Sequence, residues 1–199
     1  TAPELNDPDW ASSGSWQPEV GREDYEAALG QVIEYIHAGD IFQANLTQRF
    51  LGTLPENLTA FMLYQRLRDL SPAPFAAYLS CGPDEAVLSA SPELFLSLDD
   101  AGQVATRPIK GTRPRGATEA EDAVLKGVLQ NSEKDRAENL MIVDLLRNDL
   151  SRVCDVGSVR VGHLYSLETF ATVHHLVSEI KGRLQVGLGP VDLLRATFP

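Results

Sequence analysis

Leu94-Phe95-Leu96-Ser97-Leu98-Asp99-Asp100-Ala101-Gly102-Gln103-Val104-Ala105-Thr106-Arg107-Pro108-Ile109 is the stretch that decides the fold. Leucines at alternate positions of Leu94–Leu98 give the period of two expected of a half-buried strand, and residues 104–109 read as a second strand. Asp-Asp-Ala-Gly between them is a tight-turn signal. Strands joined this closely are antiparallel neighbours, because a parallel pair needs a crossover of a dozen residues or more. Two more strands, Phe75–Ser80 and residues 86–90, precede them, linked through Cys81-Gly82-Pro83-Asp84-Glu85. The four segments are expected to form an antiparallel meander.

Helices flank this block. Tyr25, Ala28, Leu29, Val32, Ile33 and Ile36 recur at helical spacing, and Gly39 supplies a stop. Residues 41–51 are expected as a strand and residues 59–70 as a helix. Thr118 and Glu121 match a capping box for a helix to about Leu129. Ser132 is the expected cap of the next helix, to about Leu150, whose middle is apolar nearly all round and so is expected to be buried. Residues 158–164 and 172–184 read as strands, and Pro190 opens a last helix. Strand blocks and helix blocks of this kind make an α+β fold, with largely antiparallel sheets and flanking helices. The apolar Leu193, Leu194 and Phe198 close the sequence with nothing after them to cap the element, so a fragment is expected. Residues 1–22 have no period and read as an arm or linker in which Trp10 and Trp16 pack on the body.

The 199 residues are 43% hydrophobic and 23% charged, enough for a real core, with a net charge of -11. So acidic a chain is not a general binder of nucleic acid or of anionic membranes. No stretch approaches the roughly 20 apolar residues of a membrane span, and no signal peptide is visible. Cys81 and Cys154 lie outside any CxxC pattern and read as free thiols. A cytoplasmic protein is expected.

Three constellations carry chemistry. Lys110 lies between an apolar stretch and the glycine-led Gly111-Thr112-Arg113-Pro114-Arg115-Gly116. A lysine desolvated there can lose its proton and attack an electrophile. Glu93 starts one strand of the hairpin and Lys110 ends the other, so the two are expected at one sheet edge. They would serve as an acid/base beside an amine, or as a cross-strand salt bridge. Asp135 and Glu138 share a helix face at i, i+3, which suits either Mg²⁺ or the acidic start of a helix. His174 and His175 point to opposite faces of their strand, and one of them is expected to face inward, as a core histidine or as a catalyst.

The chain resembles the chorismate-utilising enzymes. The resemblance rests on Gly39-Asp40-Ile41-Phe42-Gln43-Ala44-Asn45-Leu46, Ser71-Pro72-Ala73-Pro74-Phe75, Ser89-Ala90-Ser91-Pro92-Glu93 and Pro108-Ile109-Lys110-Gly111-Thr112-Arg113-Pro114-Arg115-Gly116. It extends through Asp135-Arg136-Ala137-Glu138-Asn139, Asp144-Leu145-Leu146-Arg147-Asn148-Asp149-Leu150 and Thr172-Val173-His174-His175-Leu176-Val177-Ser178. Within the family Lys110 is similar to the aminodeoxychorismate synthase branch, whereas anthranilate synthases typically carry alanine there. The resemblance implies a two-layer, anthranilate synthase component I-like fold over residues 23–199, incomplete at its C-terminal end. It implies Lys110 as nucleophile, Glu93 as general acid/base and His175 as an active-site histidine. Gly111 and Thr112 would contact chorismate, and Glu138 would bind Mg²⁺ with Asp135 nearby. Pro74, Phe75 and Ala76 would form one wall of a tryptophan effector pocket. A glutamine amidotransferase subunit would supply ammonia, and the activity would serve folate and para-aminobenzoate synthesis. The family's later glycine-rich segment, carboxylate-binding arginine and further acidic ligands lie outside these 199 residues, so this stretch alone is expected to be inactive. Anthranilate synthase component I and a non-catalytic effector- or partner-binding module are the alternatives.

Overall fold

A computed structural model describes residues 16–198. Along the chain run β1 (Gln17–Pro18), α1 (Arg22–Ala38), β2 (Phe50–Leu51), α2 (Ala60–Leu70), β3 (Phe75–Ser80), β4 (Ala86–Ser91) and β5 (Leu94–Leu98). Then follow β6 (Gln103–Arg107), β7 (Ile109–Pro114), α3 (Glu119–Gln130), α4 (Glu133–Ser151), β8 (Arg160–Thr169), β9 (Val173–Arg183) and α5 (Pro190–Thr197). The architecture is α+β with antiparallel sheets, as the sequence predicts. It divides into two units, one holding the chain up to Pro72 with Tyr78–Leu88, the other Ala73–Ala77 with everything from Ser89 onward.

In the first unit Gly39 ends α1 in the left-handed conformation (φ 81°), as predicted. β1 pairs with β2, and the Trp16 ring packs on Gly52, where a Cβ would come within 2.9 Å of it. Trp10 and the rest of residues 1–15 lie outside the described residues. The Thr59 hydroxyl caps α2 by accepting from Met62 N–H, and Tyr78 meets Phe61 edge-to-face at 5.3 Å. The strand expected over residues 41–51 is only its last two residues. The alternation of Phe42, Ala44 and Leu46 is genuine, but among the described residues no strand pairs with it before Phe50, although Arg49 C=O accepts from Glu19 N–H. α1 buries none of its residues.

The second unit is built on β9, the longest strand. One of its edges pairs with β8 along most of its length. Its other edge takes β6 at Thr106↔Ile180 and then β7 at Ile109↔Val177. The expected meander is therefore corrected: β5 and β6 form a hairpin, β3 and β4 form a separate one, and β9 joins β6 to β7. Pro108 explains the break. It has no N–H to continue a ladder, so the expected strand over 104–109 ends at Arg107, while the Pro108 carbonyl still accepts from Ser178 N–H at 3.1 Å.

α4 and α5 cover one face of this sheet. Val104, Val143, Leu146, Leu150, Val153, Ile180, Leu184 and Leu193 form the core there, with Cys154 among them. Each fully buried leucine or isoleucine contributes about 1.5–3 kcal/mol. Cys154 is a free thiol whose pKa burial pushes up, and Cys81 is free and exposed. Caps predicted from sequence hold α3 and α4: Thr118 accepts from Glu121 N–H and Ser132 from Asp135 N–H. The Glu121 carboxylate returns to Ala117 N–H, one residue before the cap. α4 is not buried all round. Val143, Leu146 and Leu150 face the core, whereas Leu140 and Leu145 stay exposed.

Candidate active site

The predicted site residues of the second unit gather around β7 and its neighbours. Gly111 takes φ +88°, a conformation that disfavours any residue with a Cβ. A Cβ there would also lie 2.9 Å from both Asp135 Cβ and Leu129 Cδ1. Glycine thus lets β7 bulge and lets α4 approach it closely, and the register with β9 shifts between Ile109 and Thr112.

That approach puts Lys110 against α4. Lys110 Nζ lies 3.6 Å from Glu138 Oε1, with 26% of the lysine side chain and 37% of the glutamate exposed. The amine is partly withdrawn from water, and its ion pair is loose. Glu93, its expected neighbour, instead accepts a hydrogen bond from Ile109 N–H at 2.6 Å. The hairpin does bring Glu93 to this strand, and the carboxylate is fixed by the backbone one residue before the lysine.

Asp135, one turn before Glu138, takes a bond from Arg113 Nη2 at 2.9 Å. The Ser132 hydroxyl and then the Arg113 guanidinium hold its carboxyl below the usual range, so it is charged at neutral pH. Glu138 and Asp135 are hard oxygen donors of the kind Mg²⁺ takes one or two at a time while keeping several waters. Among the described residues no three His, Cys, Asp or Glu side chains converge on one point. The donors fit a lightly held Mg²⁺ completed by water or substrate oxygens and do not fit a closed protein cage.

The two histidines separate as their alternation requires. His174 is wholly buried on the helix side; its Nε2 pairs with Asp122 Oδ1 at 2.8 Å and its Nδ1 with Thr169 Oγ1 at 3.0 Å. It is a satisfied core histidine. His175 points the other way and is also buried, with Nδ1 2.9 Å from Thr112 Oγ1 and the Phe170 ring 5.5 Å away. Burial pushes its pKa down, and the charges of Glu93 and Glu168 pull it partly back. Thr112, a predicted substrate contact, is thereby tied to His175.

Two groups escaped the sequence reading. Asp122 is a hub that accepts from Arg115 Nε at 2.7 Å and Gly116 N–H at 3.0 Å, and it pairs with Lys126 and His174. It anchors the residues that follow β7, the strand that carries Lys110. Asn139 is fully buried: Ser178 donates to its Oδ1 and its Nδ2 donates to Leu176 C=O, which locks α4 onto β9. In the stretch Asp135-Arg136-Ala137-Glu138-Asn139 the asparagine is thus structural, and Arg136 lies 4.8 Å above the Tyr165 ring.

Pro74 and Phe75 line a cleft of about 100 Å³ together with Arg107, Ile109, Glu168 and Phe170. Ala76 is not part of its wall. The cleft is well below the ~300 Å³ at which small-molecule sites begin, too tight as it stands for an indole. Arg107 and Glu168 form an ion pair within it.

The chain matches known proteins along almost all its length. The family described as chorismate binding enzyme matches residues 2–199. Aminodeoxychorismate synthase component 1 of Klebsiella aerogenes is 46% identical over 187 residues, 94% of this chain and 41% of that protein. Aminodeoxychorismate synthase of Streptomyces griseus is 49% identical over 178 residues, 89% of this chain and 24% of that protein. Among solved structures, anthranilate synthase component I from Streptococcus pneumoniae superposes with a TM-score of 0.80 at 34% identity, covering 94% of this chain and 40% of that one. The chain therefore spans less than half the length of these relatives.

Proposed function

The chain belongs to the chorismate binding enzyme family, and we propose that it carries part of the active site of an aminodeoxychorismate synthase component I. The observation behind this reading is Lys110, partly buried beside Glu138, in the segment where anthranilate synthases typically carry alanine. In the proposed reaction the Lys110 amine gives a proton to Glu93 and attacks C2 of chorismate. The ring double bonds shift, and the 4-hydroxyl leaves as water with the proton that Glu93 took from Lys110. Ammonia then adds at C4, the double bonds shift back and Lys110 is expelled, giving 4-amino-4-deoxychorismate.

The residues divide the work. Glu93 is held at the β7 strand by Ile109 N–H, which would leave its other oxygen for the proposed proton transfer. The Gly111–Thr112 bulge would face substrate, with Thr112 anchored by His175. Glu138 would hold Mg²⁺ directly and Asp135 through water; the bound ion would offset the negative charge of the chorismate carboxylates. A glutamine amidotransferase subunit is the proposed ammonia source, the pathway is folate and para-aminobenzoate synthesis, and the proposed location is the cytoplasm. Tryptophan is the effector that the resemblance implies at Pro74, Phe75 and Ala76, and the cleft beside Pro74 and Phe75 would have to widen to take its indole. Residues beyond these 199 would complete the carboxylate- and metal-binding set, so this stretch alone is expected to turn chorismate over slowly or not at all.

The test is product identity. A full-length protein carrying this sequence, supplied with chorismate, ammonia and Mg²⁺, should yield 4-amino-4-deoxychorismate by mass. Anthranilate as the product would place the chain with the lyases instead.

A further inference from the structure

The mechanism above leaves one charged pair unused. Arg107, at the end of β6, and Glu168, on β8, are bonded to each other, and each is only about one-third exposed. Their placement is specific. Glu168 lies directly opposite His175 in the β8–β9 register. Arg107 lies opposite Leu94, the residue after Glu93. Thr112 from β7 and Phe170 after β8 lie against His175, Glu168 faces it across the β8–β9 register, and the negative charges of Glu93 and then Glu168 favour the protonated ring. Two negative charges therefore bear on one buried imidazole, and Arg107 is bonded to one of them.

We propose that the Arg107–Glu168 pair is a positioning device for His175: Glu168 presents a carboxylate to the buried ring from the facing position on β8, and Arg107, bonded to that carboxylate, offsets its charge. The proposal deepens the reading of His175 as an active-site residue and rests on it. A neutral imidazole has one donor and one acceptor nitrogen. With Nδ1 engaged by Thr112, Nε2 is the ring nitrogen left to take a proton. The imidazolium would have no lone pair with which to take that proton. Burial alone would also disfavour the charged ring, but two uncompensated carboxylates would oppose it.

The alternative role for the pair is a simple clamp between β6 and β8. The two roles differ in sign. Loss of Arg107 leaves Glu168 uncompensated and stabilises the imidazolium. Loss of the Glu168 charge leaves Arg107 unpaired and destabilises it. A clamp whose loss only loosens the sheet would wet the ring in both variants and move both midpoints toward the ordinary histidine value of about 6.5.

The experiment is an NMR titration of the His175 ring protons in the full 199-residue chain, assigned with His175→Gln. The comparison is between the parent, Arg107→Gln and Glu168→Gln. The expected result is a midpoint raised by about 0.5–1 pH unit in Arg107→Gln and lowered by a similar amount in Glu168→Gln. Unchanged midpoints, or upward movement in both, overturn the proposal. Should Arg107→Gln not fold, Glu168→Gln decides alone: a fall supports the pair's role, and a rise or no change defeats it. Because the ring itself is read, a reaction that proved independent of Lys110 would leave this result standing.

Discussion

Replacing Gly111 with alanine tests the close approach that brings Lys110 to Glu138. Gly111 has φ +88°, where a residue with a Cβ is strained by about 1–2 kcal/mol. The new methyl would also lie 2.9 Å from Asp135 Cβ and from Leu129 Cδ1. Neither is the end of a long flexible chain: one is a first side-chain carbon on α4, the other belongs to a fully buried leucine. Overpacking of this kind costs about 1–3 kcal/mol. Gly111→Ala should therefore lose about 2–5 kcal/mol in urea unfolding followed by circular dichroism. Gly127→Ala is the control. Gly127 lies inside α3 with nothing within 4 Å of a built Cβ, so the same chemical change should stabilise by about 0.5–1 kcal/mol. If Gly111→Ala unfolds within about 0.5 kcal/mol of the parent, the backbone argument for this glycine is wrong.

Two further perturbations follow from the same contacts. Asn139→Ala leaves the buried Ser178 hydroxyl without its acceptor, and urea unfolding should show a loss of about 1–3 kcal/mol; an unchanged midpoint would mean that this network does not hold α4 to the sheet. Asp122→Asn removes a carboxyl that Arg115 and the Gly116 N–H hold far below its ordinary range. A depressed acid stabilises the fold in full above its unfolded value of about 3.9 and loses that contribution progressively as pH falls from there toward its much lower folded value, so the variant's Tm deficit should be largest near neutrality and begin to shrink toward about pH 3. An equal deficit at both pH values would show that the charge of Asp122 is irrelevant.

Much of the fold was legible because its signals are local. Gly39, Thr59, Thr118 and Ser132 mark helix ends through bonds made within a few residues. Leu94–Leu98 and Phe75–Ser80 carry strand composition beside clear turns. What failed was non-local. Nothing in residues 103–114 states that β9, some 70 residues later, will zip β6 and β7 together, although Pro108 signals that the strand must break. Residues 41–49 alternate correctly but find no partner strand. Leu140 and Leu145 on α4 stay exposed although the helix reads as buried, because the face it turns toward the core is that of Val143, Leu146 and Leu150.

The site was legible in its residue types and less so in its pairings. Spacing brings Glu93 and Lys110 to one strand end but cannot say that Glu93 will take Ile109 N–H and leave Lys110 to Glu138. The i, i+3 rule places Asp135 and Glu138 on one face but is silent on Arg113, which arrives from β7. Asp122 was missed because an aspartate in the first turn of a helix is ordinary. Its real partner, His174, is 52 residues away. The inward-facing histidine was anticipated, but both histidines proved buried, one on each face of the sheet.

The measurement that bears most directly on the account is a search for a covalent chorismate adduct on Lys110. A full-length protein carrying this sequence is incubated with chorismate and Mg²⁺, without ammonia, then quenched and digested for peptide mass analysis. The account predicts a mass gain of chorismate less water on the peptide containing Lys110, absent in Lys110→Ala and discharged when ammonia is added. Full 4-amino-4-deoxychorismate synthesis by Lys110→Ala, with no adduct in the parent, would contradict it.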